Sequence, residues 1–189
     1  NGGAIYWEGN NVNISNCCFV NNTATYGGAN YFENDLFNSN INAEFINNNA
    51  SEGGANYFNG ALNNVNIKGD YTSNTANGVG GANLFGGALN NVDIIGNYTS
   101  NKANNRGGAN FFAKELTNVT ISGDYTKNTA QLNGGAYYFI GIITNLTIIG
   151  DYTSNTGGSS GIIIFQDSVY YLNVIGAFVN NSGQSLIHF

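Results

Sequence analysis

Histidine and tryptophan each occur once in this sequence, and proline and methionine not at all. The single histidine, His188, has no acidic residue or cysteine near it in the chain, which excludes a histidine-based catalytic triad and a multi-histidine metal site. Cations are equally scarce. Lys68, Lys102, Arg106, Lys114 and Lys127 form no run, charged residues are 8% of the chain and the net charge is −6, so composition speaks against nucleic acid as a partner. No stretch approaches the roughly 18 apolar residues of a membrane helix, so no membrane insertion is expected within this segment. The only cysteines, Cys17 and Cys18, are adjacent and make no C-x-x-C metal or redox motif. On a strand, neighbours point to opposite faces, which predicts one buried and one exposed packing residue. With neither an initiator methionine nor a signal peptide, and opening inside a repeat, the chain reads as a processed piece of something longer.

What is abundant is asparagine and glycine, 38 and 27 of the 189 residues. Such a bias could belong to a disordered segment, but 42% of the residues are apolar and 13% aromatic, and they are placed periodically. A glycine pair, alanine and a following aromatic recur at Gly27-Gly28-Ala29 with Phe32, Gly53-Gly54-Ala55 with Phe58, Gly80-Gly81-Ala82 with Phe85 and Gly107-Gly108-Ala109 with Phe112. An aromatic followed three residues later by asparagine recurs at Phe19, Phe45, Tyr71, Tyr98, Tyr125, Tyr152 and Phe178, in steps of 26, 26, 27, 27, 27 and 26 residues. The chain is one repeat array, a single domain over residues 1–189 with no linker.

Several glycines and asparagines per repeat disfavour helices, and leucine is too scarce for a leucine-rich repeat. Val65-Asn66-Ile67, Val92-Asp93-Ile94, Val119-Thr120-Ile121 and Leu146-Thr147-Ile148 alternate with period two, as short strands do. The fold class that follows is all-β: a right-handed parallel β-helix of about seven coils of 26–27 residues, with three short strands per coil. One strand is placed at the glycine pair, a second at Val-x-Ile and a third at the aromatic of aromatic-x-x-Asn. The valine and isoleucine columns should line the interior beside an aromatic column. The asparagines from Asn22 to Asn181 should form a ladder from coil to coil. In the glycine strand two registers are open: either the alanine and the second residue after it face inward, or Asn30, Asn56, Asn83 and Asn110 do so with Phe32, Phe58, Phe85 and Phe112, and the recurring aromatic favours the second.

The pairing of Gly2-Gly3-Ala4-Ile5 with Phe19-Val20-Asn21-Asn22 resembles the polymorphic outer-membrane-protein repeat of bacterial surface autotransporters. Asn16-Cys17-Cys18-Phe19-Val20-Asn21-Asn22-Thr23-Ala24 before Gly27-Gly28-Ala29 is similar to the coils of archaeal adhesin-like proteins. Both resemblances imply a right-handed parallel β-helix outside the cell, attaching to host or neighbouring-cell surface glycans or proteins. Neither supplies catalytic residues, and neither implies a cofactor. Most repeats here carry asparagine where both families carry isoleucine after Gly-Gly-Ala.

Chemistry-bearing residues are few. Asp70, Asn97, Asp124 and Asp151 form an outward column before the core aromatic. Asp124 and Asp151, on adjacent coils about 4.8 Å apart, are the one weak candidate for a Ca²⁺ site or for the carboxylate pair of a polysaccharide-active enzyme. The plainer reading is that aspartate suits a corner after Gly69, Gly123 and Gly150. Seven Asn-x-Ser/Thr sequons, at Asn13, Asn21, Asn49, Asn97, Asn118, Asn145 and Asn180, are candidate glycosylation sites. The expectation is therefore a non-enzymatic, extracellular or cell-surface adhesin-like protein. The alternative is a filament subunit stacked end to end by β-strand addition.

Overall fold

A computed structural model describes all residues, 1–189. It contains strands and no helix, and all the strand pairs are parallel, wound into a β-solenoid of about seven turns. No helix is long and apolar enough to cross a membrane. The third coil shows the plan. Asn56–Phe58 belongs to the first sheet, Leu62–Lys68 and then Tyr71–Thr72 to the second, and Thr75–Ala76 to the third. The sheets hold 8, 13 and 5 strands. Three sheets were expected, but their make-up differs. The aromatic strand continues the second sheet past a bend, and the third sheet comes from the two-residue Thr-Ala segment that follows.

Each corner has a local cause. The first residue of each glycine pair is left-handed (Gly53 φ 63°), a conformation glycine adopts without a Cβ penalty. The second lies against the next coil: a Cβ on Gly54 would sit 2.0 Å from the carbonyl oxygen of Gly81. In the long strand, Asn64, Asn91, Asn118 and Asn145 are also left-handed, with φ between 53 and 62°. That single residue resets the alternation. Leu62, Val65 and Ile67 all face inward, and Leu62, Leu89, Leu116 and Ile143 form a core column that period-two reading did not reveal.

The interior is built from columns of like residues. Phe32, Phe58, Phe85, Phe112, Phe139 and Phe165 stack with ring centroids 4.6 to 5.1 Å apart, close to the spacing between strands. The second aromatic column runs from Phe19 through Tyr71, Tyr98, Tyr125 and Tyr152 to Phe178, and its four tyrosines are fully buried. Asn30, Asn56, Asn83 and Asn110 face inward, as expected. The ladder asparagines are buried too. Asn74 Nδ2 donates to Asn101 Oδ1 at 2.9 Å, and the bond repeats from Asn22 to Asn181. From Asn48 onward each of these amides also donates to a backbone carbonyl on its other side, as Asn101 does to Tyr71 O, so both ends of the side chain are satisfied.

Candidate functional site

Where the second sheet bends, the residue preceding the aspartate column is glycine in most coils, and coil stacking enforces it. A Cβ on Gly96 would lie 1.8 Å from Gly69 O, and one on Gly123 would lie 2.0 Å from Gly96 O. A line of residues without side chains leaves a trough along the rod, of about 650 Å³. Gly69, Gly96 and Gly123 contribute to its lining, flanked in sequence by Lys68, Ile95 and Ser122 before them and by Asp70 and Asn97 after two of them. Cys17, Cys18 and Glu44 also line it, from the first two coils. Its lining carries an ammonium, carboxylates, amides and a hydroxyl over bare backbone, a set suited to hydroxyl-rich or extended ligands.

The column of Asp70, Asn97, Asp124 and Asp151 is exposed, and it has a structural duty. One side-chain oxygen of each accepts the backbone N–H of the equivalent residue in the next coil: Asn97 N to Asp70 at 2.9 Å, Asp124 N to Asn97 at 3.0 Å, Asp151 N to Asp124 at 3.0 Å and Ala177 N to Asp151 at 2.8 Å. Only Asp70 and Asn97 line the trough. Asp124 and Asp151 are neighbours in this ladder, beyond the lining. No three histidine, cysteine or acidic side chains gather anywhere in a geometry that could hold a metal ion.

Both cysteines are exposed, which corrects the expectation that one would be buried. Asn16 is left-handed (φ 54°), and the pairing with the next coil slips between Ser15 and Cys17, so simple alternation fails there. Cys17 then falls in register with Ala43, at the bend and facing the trough.

No family model, curated protein or solved structure matches the chain.

The seven sequon asparagines are all exposed but do not cluster. Asn49 makes no side-chain hydrogen bond, whereas Asn118 and Asn145 are tied into a surface ladder, Asn145 Nδ2 donating to Asn118 Oδ1 at 3.0 Å and Asn118 Nδ2 to Asn91 Oδ1 at 3.1 Å. Asn97 is at once a sequon and a trough residue. The trough itself was not foreseen: its glycines read as turn residues, and only the repeated Gly-Asp step signalled the bend.

Proposed function

We propose that this chain is a non-enzymatic, adhesin-like β-solenoid of an extracellular or cell-surface protein, attaching to surface glycans or proteins. The observation that carries the reading is the trough, an open groove of about 650 Å³ along a rod of repeated coils, lined by both polar and apolar groups. Hydroxyl-rich chains are held by side-chain amides, carboxylates and ammonium groups in such channels, several weak contacts acting together along an extended ligand. The resemblance of the glycine-pair and Phe-x-x-Asn signatures to bacterial and archaeal surface repeats supports the same reading. So does the outward position of every sequon asparagine.

The test is a binding screen of the purified rod against soluble polysaccharides and immobilised surface extracts, repeated with Ser122→Trp. Ser122 is half-buried on the trough wall, and an indole there would obstruct the trough where its last lining coil lies. Saturable binding that weakens at least tenfold in the variant is expected. Binding unchanged by the tryptophan overturns the role of the trough. Release of shortened saccharides, abolished by Asp124→Asn, would replace attachment by polysaccharide cleavage.

A second reading, a subunit stacked end to end, draws on the parallel strand edges through which every coil pairs with the next. Ile5, Trp7, Val12 and Phe19 at one end, and Val169, Leu172, Val174, Phe178 and Ile187 at the other, continue the core columns but are only partly buried. In this reading the last coil of one copy pairs with the first coil of the next, a heterologous contact that does not close. Electron microscopy of concentrated protein decides it: unbranched fibres support the reading, and isolated short rods remove it.

A further inference from the structure

The first sheet has an outward column as well as an inward one. Between the two inward residues of each strand, asparagine and phenylalanine in four of the seven, lies a residue pointing away from the core: Tyr6, Tyr31, Tyr57, Leu84, Phe111, Tyr138 and Ile164 are paired in that register. In the later coils this stripe is covered. Leu84, Phe111, Tyr138 and Ile164 are buried beside Val79, Ala113 and Ile140, and the Arg106 guanidinium lies 5.1 Å from the centre of the Tyr138 ring. Arg106 occupies the position just before a glycine pair. The equivalent residues in the early coils are Tyr26 and Glu52, so no cation reaches the stripe there.

At the early end two rings are open, over a Tyr31 that is itself buried. Tyr6 and Tyr26 are 46% and 40% exposed, and both rest on Tyr31, Tyr6 stacked at 5.6 Å and Tyr26 tilted at 6.3 Å. Tyr26 also meets Tyr57 edge-on at 5.7 Å. Carboxylates surround these rings. The Tyr6 hydroxyl lies 3.1 Å from both Glu8 Oε1 and Glu33 Oε2, yet it has a single proton and can donate to only one at a time. The Tyr31 phenol also lies beside Glu33, so two carboxylates share two phenol donors and keep accepting capacity for a cation. Loss of solvent around the rings and the neighbouring carboxylates push Tyr6 and Tyr31 up to about 12, so the phenols remain neutral acceptor faces at ordinary pH. Over residues 1–67 the chain has five acids, Glu8, Glu33, Asp35, Glu44 and Glu52, and no lysine or arginine, whereas the whole chain carries only −6.

We propose that the tyrosine–carboxylate face of the first three coils binds an arginine side chain of a partner protein, the guanidinium lying against Tyr6 and donating to Glu8 and Glu33. Arginine is the occupant because its planar fork supplies several N–H donors to two converging carboxylates while its face stacks on a ring. The same stripe already holds a guanidinium against a ring, without a carboxylate partner, where Arg106 covers Tyr138. This face belongs to the first sheet, whereas the trough lies in the second, so the two proposals stand or fall separately.

The experiment is a titration of the whole chain with an arginine-rich peptide and with the same peptide carrying citrulline, at low and at physiological ionic strength, followed by backbone amide NMR. Saturating shifts at Tyr6, Tyr26 and Glu33 with the arginine peptide alone are expected, and these weaken as salt rises. Glu33→Gln should weaken binding roughly tenfold, the loss of one charged hydrogen bond, and Tyr6→Leu several-fold. Should Glu33→Gln disturb the spectrum of the folded chain, Glu8→Gln, at a fully surface position, carries the same test. Ser122→Trp should leave this binding unchanged. Equal shifts with the citrulline peptide, or full affinity in both glutamate variants, overturn the proposal. Calcium chloride that binds at Glu8 and Glu33 and excludes the peptide also overturns it, by making the site a metal site.

Discussion

Asn83 Nδ2 donates to the Tyr98 hydroxyl at 3.3 Å in the middle of the core, and the pair shares no solvent. The inward residue of the first sheet and the aromatic fifteen positions later face each other throughout the rod. Asn110 meets Tyr125 at 3.2 Å, and the hydroxyls of Tyr137 and Tyr152 meet at 3.4 Å. In the next coil both equivalents are apolar, Ile163 pairing in register with Tyr137 and Phe178 with Tyr152. Polar residues thus face polar ones along this seam, although Asn56 Oδ1 and the Tyr71 hydroxyl find no partner there, and at one position the match itself fails. Asn30 is fully buried, its facing residue is Phe45, and neither polar atom of its side chain has a partner.

Restoring the match is a direct test. Phe45 stacks in parallel on Tyr71 at 4.8 Å, so Phe45→Tyr would bring a hydroxyl into the same seam beside the Asn30 amide. Denaturant unfolding should show a gain of about 1 kcal/mol, the net value of one intramolecular hydrogen bond. A loss of stability would mean that the added oxygen finds no room there.

The two asparagine ladders should differ in worth. Asn101 is buried, accepts from both Asn74 N and Asn74 Nδ2 and donates to Tyr71 O and Asn128 Oδ1, so Asn101→Ala orphans several buried groups at once. A loss of about 3 kcal/mol or more is expected from chemical denaturation. Asn91→Ala, in the exposed ladder, should lose about 1 kcal/mol, mainly from placing alanine at φ 54°. Equal losses would refute this division between inner and outer ladders.

Tyr171 takes the place that asparagine holds in the preceding coils, at φ 61° and 84% exposed. A bulky residue is poorly suited to that backbone, and its ring gains little in return. Tyr171→Asn should raise stability by about 1 kcal/mol in a thermal or denaturant melt.

Alkali should unfold the rod before its inner tyrosines ionise. Burial holds Tyr71, Tyr98, Tyr125, Tyr137 and Tyr152 above the ordinary value of 10.0, whereas in the unfolded chain they ionise near that value. A raised folded-state value stabilises the fold fully below about pH 10, and this contribution is lost as pH climbs toward the folded value. Tyrosinate absorbance from the buried five should therefore appear only together with loss of circular dichroism. A single smooth titration with the fold intact would contradict the sealed core.

Gly96→Ala should cost about 3 kcal/mol or more, since its Cβ meets backbone and not a movable side chain. Yield and melting temperature compared with Ser122→Ala, on the same wall of the trough, separate crowding from any general effect of substitution.

Much of this was legible because the repeat aligns equivalent residues: the columns of Val65, Ile67 and Tyr71 could be read directly and are buried. Where a left-handed residue intervenes, legibility stops. Asn64 hides the Leu62 column, and Asn16 sends Cys17 and Cys18 both outward. The third sheet rests on two-residue strands such as Thr75–Ala76, too short for any alternation to show. Tyr31, Leu84 and Phe111 read as surface residues because they sit between two inward ones. Their burial depends on flanking loops that local pattern does not describe. Asp124 and Asp151 were singled out for their chemistry, but what the column shows is backbone capping from coil to coil, a contact that sequence spacing alone could not distinguish from a site.

The buried ladder has a further consequence, for length. Each coil gives its neighbour the same amide, the same ring and the same backbone edge that it receives from the other side. Cross-section is fixed within a coil, while the number of coils is fixed by nothing in the cross-section. A whole repeat copied between Gly80 and Gly107 would meet sockets it already fits, and the rod would grow by about 4.8 Å with its trough unbroken. Reach is therefore a quantity this architecture can alter by duplication, without redesigning a single contact.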